Sequence, residues 1–171
     1  MNIKIYLIAI FISCLVTNVS FGAASGSNAD NTVNEPKGPK KTSNYNLALK
    51  TIKRADKYDK KGKKVKAEKN YKKALKFLLK ANKEKPSEAD ILNYLGYTNR
   101  KLGDFENAEI YYLLGLEVEP NHFGINEYLG ELYVNTNRIN KAKERLKVLE
   151  NCNCEEFKEL SNAIKSGSSK Y

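Results

Sequence analysis

Apolar residues along this chain fall at helical spacing, in blocks separated by turn residues. In the clearest block, ADILNYLGYTNRKL places Ile91, Leu92, Leu95 and Leu102 on one helical face, with Tyr94 and Tyr97 alongside. Gly103-Asp104 breaks the pattern as a turn does. FENAEIYYLLGLEVEP then sets Phe105, Ala108, Tyr112 and Leu116 on one face until Pro120 stops it. The block predicts two antiparallel helices joined by a tight turn.

The block recurs at a step of 34 residues, the length of one two-helix repeat unit. Gly62, Gly96 and Gly130 share that step, as do Ala74, Ala108 and Ala142. So do Tyr71, Phe105 and Ile139, and Leu78, Tyr112 and Leu146. Pro86 and Pro120 follow it, with Cys154 where a third proline would fall. A mid-helix glycine costs about 1 kcal/mol against alanine, so one that returns at a fixed register predicts a packing role. Gly96 and Ala108 are expected to face each other where the paired helices approach most closely. Gly62 stands among lysines, where it marks either the same contact or a turn; a turn leaves the first hairpin irregular. One hairpin cannot bury its apolar face alone, so neighbours stack and share a core. The fold class is all-α.

These residues resemble the tetratricopeptide repeat (TPR) family, with copies counted from Ala55, Ala89 and Phe123 (55–88, 89–122, 123–156). The family's small residue of the first helix falls on Gly62, Gly96 and Gly130, and the preceding leucine on Leu95 and Leu129 but Lys61 in the first copy. Its second-helix alanine falls on Ala74, Ala108 and Ala142, and the closing proline on Pro86 and Pro120. The family's tryptophan is missing; Tyr58, Leu92 and Asn126 stand there. The resemblance implies a right-handed α-solenoid of three helix hairpins, whose leading helices line a concave groove for a partner protein or peptide. Carried over by position, the groove residues are Asp59, Lys63 and Lys66 from copy one and Asn93, Tyr97, Arg100 and Lys101 from copy two. Copy three gives Glu127, Glu131 and Asn135. Tyr97 beside Arg100 and Lys101 offers an aromatic body with two cationic tips, suited to an extended peptide. The family's carboxylate-clamp set of Lys, Asn, Asn, Lys and Arg is replaced by Asp59, Lys63, Tyr94, Gly124 and Tyr128, so that specificity is not expected.

The N-terminus reads as an export signal over 1–22: Lys4, an apolar run Ile5 to Ile12 extended by Leu15 and Val16, then small residues Ser20, Gly22, Ala23 and Ala24. The reading places the mature chain in a bacterial periplasm. A retained membrane anchor and a lipoprotein signal ending at Cys14 are the alternatives. Residues 23–43, rich in Ser, Asn, Gly, Pro and Lys, predict a flexible linker. Helical spacing resumes at Tyr45, Ala48, Leu49, Ile52, Ala55 and Tyr58, so the repeat domain spans 44–165 and opens with a long helix near Asn44. Phe157, Leu160 and Ile164 predict a capping helix over 155–165, with Glu155, Glu156 and Glu159 on its wet face and a disordered tail at 166–171.

Charge changes the picture at the front of the chain. From Pro36 to Lys85 there are 19 Lys and Arg against 4 Asp and Glu; from Pro86 onward there are 10 against 14. A lysine-rich face is either solvated or in contact with an anionic membrane or cell-wall surface, through 37–85. Nucleic acid is disfavoured by the export signal and by having only four arginines, the better fork for phosphate and base edges. Cys152 and Cys154 suit a small structural disulfide in an oxidising compartment; free thiols under the capping helix and a redox pair are the alternatives. His122, the single histidine, reads as a turn residue, and with two cysteines makes no metal set. With no nucleophile–base pair, phosphate-cradling loop or spaced carboxylate pair, the chain reads as a non-enzyme without cofactor.

Overall fold

The computed structural model describes residues 42–169; the export-signal segment and the linker through 41 lie outside them. Seven helices follow in order: α1 Asn44–Asp59, α2 Lys64–Glu84, α3 Ala89–Lys101, α4 Phe105–Val118, α5 Phe123–Asn135, α6 Ile139–Val148 and α7 Glu155–Ser166. Among the described residues there is no strand, and the helices pair as three hairpins with α7 against α5 and α6. Each hairpin also packs on the next, through α2 on α3 and α4 on α5. The architecture is an all-α solenoid.

Local chemistry explains where the helices begin and end. Ser43 and Asp104 cap α1 and α4 by accepting from the amides of Asn46 and Asn107. His122 does the same for α5, its ring nitrogen accepting from Ile125. At the far ends of α2 and α4, a proline disfavours helical backbone in the residue before it. Lys85 (φ −138°, ψ 84°) and Glu119 (φ −136°, ψ 88°) therefore leave the helix in nearly the same way.

The three hairpin turns share one geometry. Gly62, Gly103 and Asn137 all have positive φ, at 66°, 83° and 58°. The amides of Lys63, Asp104 and Arg138 bond back to the carbonyls of Tyr58, Asn99 and Tyr133, closing the same Schellman loop each time. Glycine suits that left-handed position, and asparagine is the usual substitute.

This alignment corrects the sequence reading of Gly62. It is the counterpart of Gly103, not of Gly96, and a Cβ added there would meet nothing within 4 Å. Gly62 and Gly103 lie 41 residues apart (103−62), against 34 for Gly103 and Asn137 (137−103). The first hairpin therefore carries one extra heptad between its turn and the end of α2, which is 21 residues long against 14 for α4. Seven residues are close to two helical turns, so the insertion keeps the buried face almost in phase.

Small residues keep a fixed spacing from the three turns. Seven residues before each turn residue stand Ala55, Gly96 and Gly130, and five after it Ala67, Ala108 and Ala142; all are buried. In the long hairpin a second buried pair, Ala48 and Ala74, lies one heptad further from the turn. The expected space around Gly96 is filled by the ring of Tyr112, one turn beyond Ala108, and a Cβ on Gly96 would run into that ring. At Gly130 the filler is Leu160 of α7, 2.5 Å from where a Cβ would sit, so the capping helix completes the third hairpin.

The tail expected to be disordered from Ser166 is partly held. Ser166 closes α7, Gly167 caps it with φ 65°, and Asn135 Nδ2 donates to Ser169 Oγ at 2.9 Å.

Gly96→Val pushes two methyl groups into a fully buried ring and is expected to lower unfolding free energy by about 3 kcal/mol. Gly62→Ala meets no atom but holds a left-handed backbone, for a loss of about 1 kcal/mol. Urea titration of both variants checks the ranking, and a neutral Gly96→Val would remove the close-approach account.

Candidate functional site

The leading helices α1, α3 and α5 line a cavity of about 540 Å³. From α1 come Leu49, Ile52, Lys53, Asp56 and Asp59, three and four residues apart along one face, with Lys60 just beyond its end. From α3 come Tyr94, Tyr97 and Lys101, and from α5 Tyr128.

Tyrosines tie the wall together. Tyr97 and Tyr128 have ring centroids 5.2 Å apart, Tyr71 meets Tyr97 edge-on at 6.5 Å, and Tyr45 meets Tyr94 edge-on at 6.0 Å. Asp56 accepts from the hydroxyls of Tyr71 (2.7 Å) and Tyr97 (2.8 Å), joining α1, α2 and α3 through one carboxylate. Burial, with Asp56 nearby, holds the Tyr97 hydroxyl far above the ordinary phenol range. Burial likewise pushes Tyr45 up to about 12. Both phenols stay protonated, and Tyr97 donates to Asp56.

The lower end of the groove is clamped by charge. Asp59 contacts Lys101 at 2.6 Å and Lys64 at 2.7 Å, and those hydrogen bonds hold its carboxyl below the usual range. Behind it lies a buried ion pair between repeats, Arg100 to Glu131 at 3.1 Å, both side chains almost wholly excluded from solvent. The Arg100 guanidinium also stacks near Tyr97 and Tyr128, at 6.0 and 5.5 Å from the ring centroids.

The structure redistributes the residues expected from sequence. Tyr97, Arg100 and Lys101 do come together, but not as open tips: Tyr97 and Arg100 are buried, and Lys101 is paired to Asp59. Lys63 and Lys66 are exposed on the hairpin turn and on α2, outside the leading helix, because the extra heptad moved α1 upstream. Asn93 is buried, its side chain occupying the space a Cβ on Gly124 would take. Glu131 serves the ion pair, Asn135 holds Ser169, and Glu127 is buried. Sequence reasoning missed Leu49, Ile52, Lys53, Asp56 and Lys60, and met Tyr94 and Tyr128 only as replacements in the clamp set; aligning the copies on Gly62, Gly103 and Asn137 would have found the α1 set.

Glu127 is a strongly perturbed carboxyl. Burial first, then Glu131, Glu156 and Glu159, push it up to about 8, against partial relief from Arg100. Cys152 and Cys154 are joined by a disulfide, with Cα atoms 5.1 Å apart, just before α7. His122 lies 3.3 Å from Asp90 across the inter-repeat turn. Among the described residues no group of His, Cys, Asp and Glu is placed to hold a metal ion.

The tetratricopeptide repeat model matches residues 89–122, the α3–α4 hairpin with its following turn. Comparison with curated proteins finds no match. Among solved structures, the Arabidopsis OM64 TPR domain aligns at 13% identity and TM-score 0.48, over 72% of this chain and 98% of that domain. The first TPR of Spaghetti (RPAP3), bound to an HSP90 peptide, aligns at 21% and 0.45, over 69% and 93%. The second TPR domain of human RPAP3, in complex with an HSP70 peptide, aligns at 16% and 0.45, over 72% and 98%.

Three variants test the energetics. Arg100→Ala strands Glu131 as a buried charge and is expected to cost about 3–5 kcal/mol in chemical denaturation; Arg100→Met with Glu131→Leu recovers most of it. A small loss in the single variant would contradict the pairing. For Glu127, the folded value near 8 exceeds its ordinary 4.5. Its neutral form is therefore the one the fold favours, and stability falls as pH rises from about 4.5 to about 8. Glu127→Gln flattens that slope and raises Tm at pH 8. An unchanged slope would show that the carboxyl is not held neutral.

Proposed function

With a tetratricopeptide repeat at 89–122 and hairpins of the same turn geometry on both sides, we propose that this protein is an interaction module holding an extended partner segment in its groove. The observation that carries this is the cavity between α1, α3 and α5, walled by tyrosines and floored by Leu49 and Ile52. Aromatic rings with one polar edge grip a peptide while losing little side-chain freedom. Asp56 and Asp59 are already engaged within the fold. Lys53 and Lys60 are exposed on the rim and form no ion pair among the described residues. The groove therefore favours a segment with an apolar or aromatic residue for the tyrosine wall and acidic residues beside it. With α1 aligned on its turn, two clamp places of the first helix fall on Ile52 and Asp56, neither of them a cation. A carboxylate-clamp specificity has no support from that helix.

The role is binding, not catalysis. The apolar run Ile5 to Ile12 and the small residues after it support placing this module in the bacterial envelope, on the outer side of the inner membrane.

Tyr97 and Arg100 are unsuitable probes, since changing either disturbs the interior. The pair Lys53→Glu with Lys60→Glu alters the exposed rim, and Tyr94→Ala removes one half-buried wall ring together with its edge contact to Tyr45. Peptides selected on the wild-type protein from a displayed random library are expected to bind each variant at least about tenfold more weakly by fluorescence anisotropy. Undiminished binding by both would move the site elsewhere.

A further inference from the structure

The outward face of α2 carries more like charge than folding accounts for. Ala67, Tyr71, Ala74, Leu78 and Ala81 form its buried face. On the opposite side Val65, Lys69, Lys72, Lys76, Lys80 and Lys83 follow steps of four and three residues, an unbroken stripe roughly 27 Å long at the helical rise. Lys73 flanks it. Of these lysines only Lys72 has an acidic partner among the described residues, Glu68 at 2.6 Å. Lysines three and four apart on one helix repel, so the stripe weakens the helix that bears it.

The beginning of α2 adds to the same field. No acidic residue lies in its first turn, its capping position is Lys63 with no side-chain bond, and Lys64 and Lys66 follow. That is the unfavourable sign for a helix N-terminus, whose exposed amides are themselves positive. Two apolar side chains stand among these cations: Val65, 81% exposed, and Leu79, 45% exposed.

We infer that the outward face of α2 is a docking surface for an anionic lipid bilayer. Charge complementarity and shape support that occupant. All eight basic residues of α2 are lysine, a strongly hydrated point charge that suits diffuse contact with headgroups and not the forked recognition that arginine gives. A straight row matches a flat surface, and Val65 and Leu79 can seat shallowly between headgroups. Because the stripe lies opposite the face that packs in the core, bilayer contact leaves the groove of α1, α3 and α5 open.

The test is sedimentation of the full chain with vesicles of phosphatidylcholine alone or with one quarter phosphatidylglycerol. The readout is the difference between the two, which subtracts any binding through the apolar N-terminal run. Wild type is expected to favour the anionic vesicles, with the preference lost at roughly 0.5 M salt. Changing Lys69, Lys73, Lys76 and Lys80 together to Gln is expected to reduce the preference at least about tenfold. The same variant keeps its helical circular dichroism and melts at an equal or higher temperature, because repulsion within α2 is relieved. Tyr94→Ala retains full vesicle binding, so failure of the groove proposal and failure of this one are separable. No preference for anionic vesicles, or a preference unchanged in the quadruple variant, overturns the inference. Stripe-dependent binding to polyglutamate without vesicle binding overturns the bilayer and points to an acidic polypeptide.

Discussion

Each hairpin depends on small buried residues held at a fixed distance from a left-handed turn: Ala55 and Ala67, Gly96 and Ala108, Gly130 and Ala142. Larger residues then fill the flanks, as the Tyr112 ring does over Gly96. Packed interiors tolerate neither voids nor overlap, so the turn and the contact have to agree in register. Where they agree, the outer surfaces of the helices are free to vary, and here they vary widely.

The groove shows how that freedom is used. Its deep part is saturated internally: Asp56 takes two phenol hydroxyls, Asp59 two lysines, and Arg100 the Glu131 carboxylate. Charges excluded from water need such partners, since an isolated buried ion is far more costly than any contact it could offer a ligand. What stays open to solvent is the rim, where Lys53 and Lys60 stand exposed. The long-range ties also cross repeat boundaries, as Arg138 and Glu109 do at 2.8 Å, so the wall is stiffened by the same interactions that silence its interior charges.

Much of the fold was legible because the second helices obey one step, visible at Ala74, Ala108 and Ala142. The first helix was misplaced for a specific reason. An extra heptad leaves apolar spacing nearly undisturbed, so periodicity gave no warning, and Gly62 fell by coincidence at the register of a packing glycine. The site was less legible still. Arg100 and Glu131 are 31 residues apart, and nothing in their local context says that one neutralises the other (131−100). Charged residues at groove-facing positions read as free tips in a sequence, whereas the folded chain had already matched most of them. The tyrosines were visible as helical neighbours, but that they form a continuous wall follows only from stacking.

The charge at the first turn has a mechanical consequence. Asp59, at the end of α1, takes Lys101 of α3 at 2.6 Å as well as Lys64 of α2 at 2.7 Å, so the tips of the first two hairpins are pinned side by side. Lys60, Lys61 and Lys63 stand exposed around that pin. A load applied at the first tip is therefore shared with the second hairpin through one carboxylate.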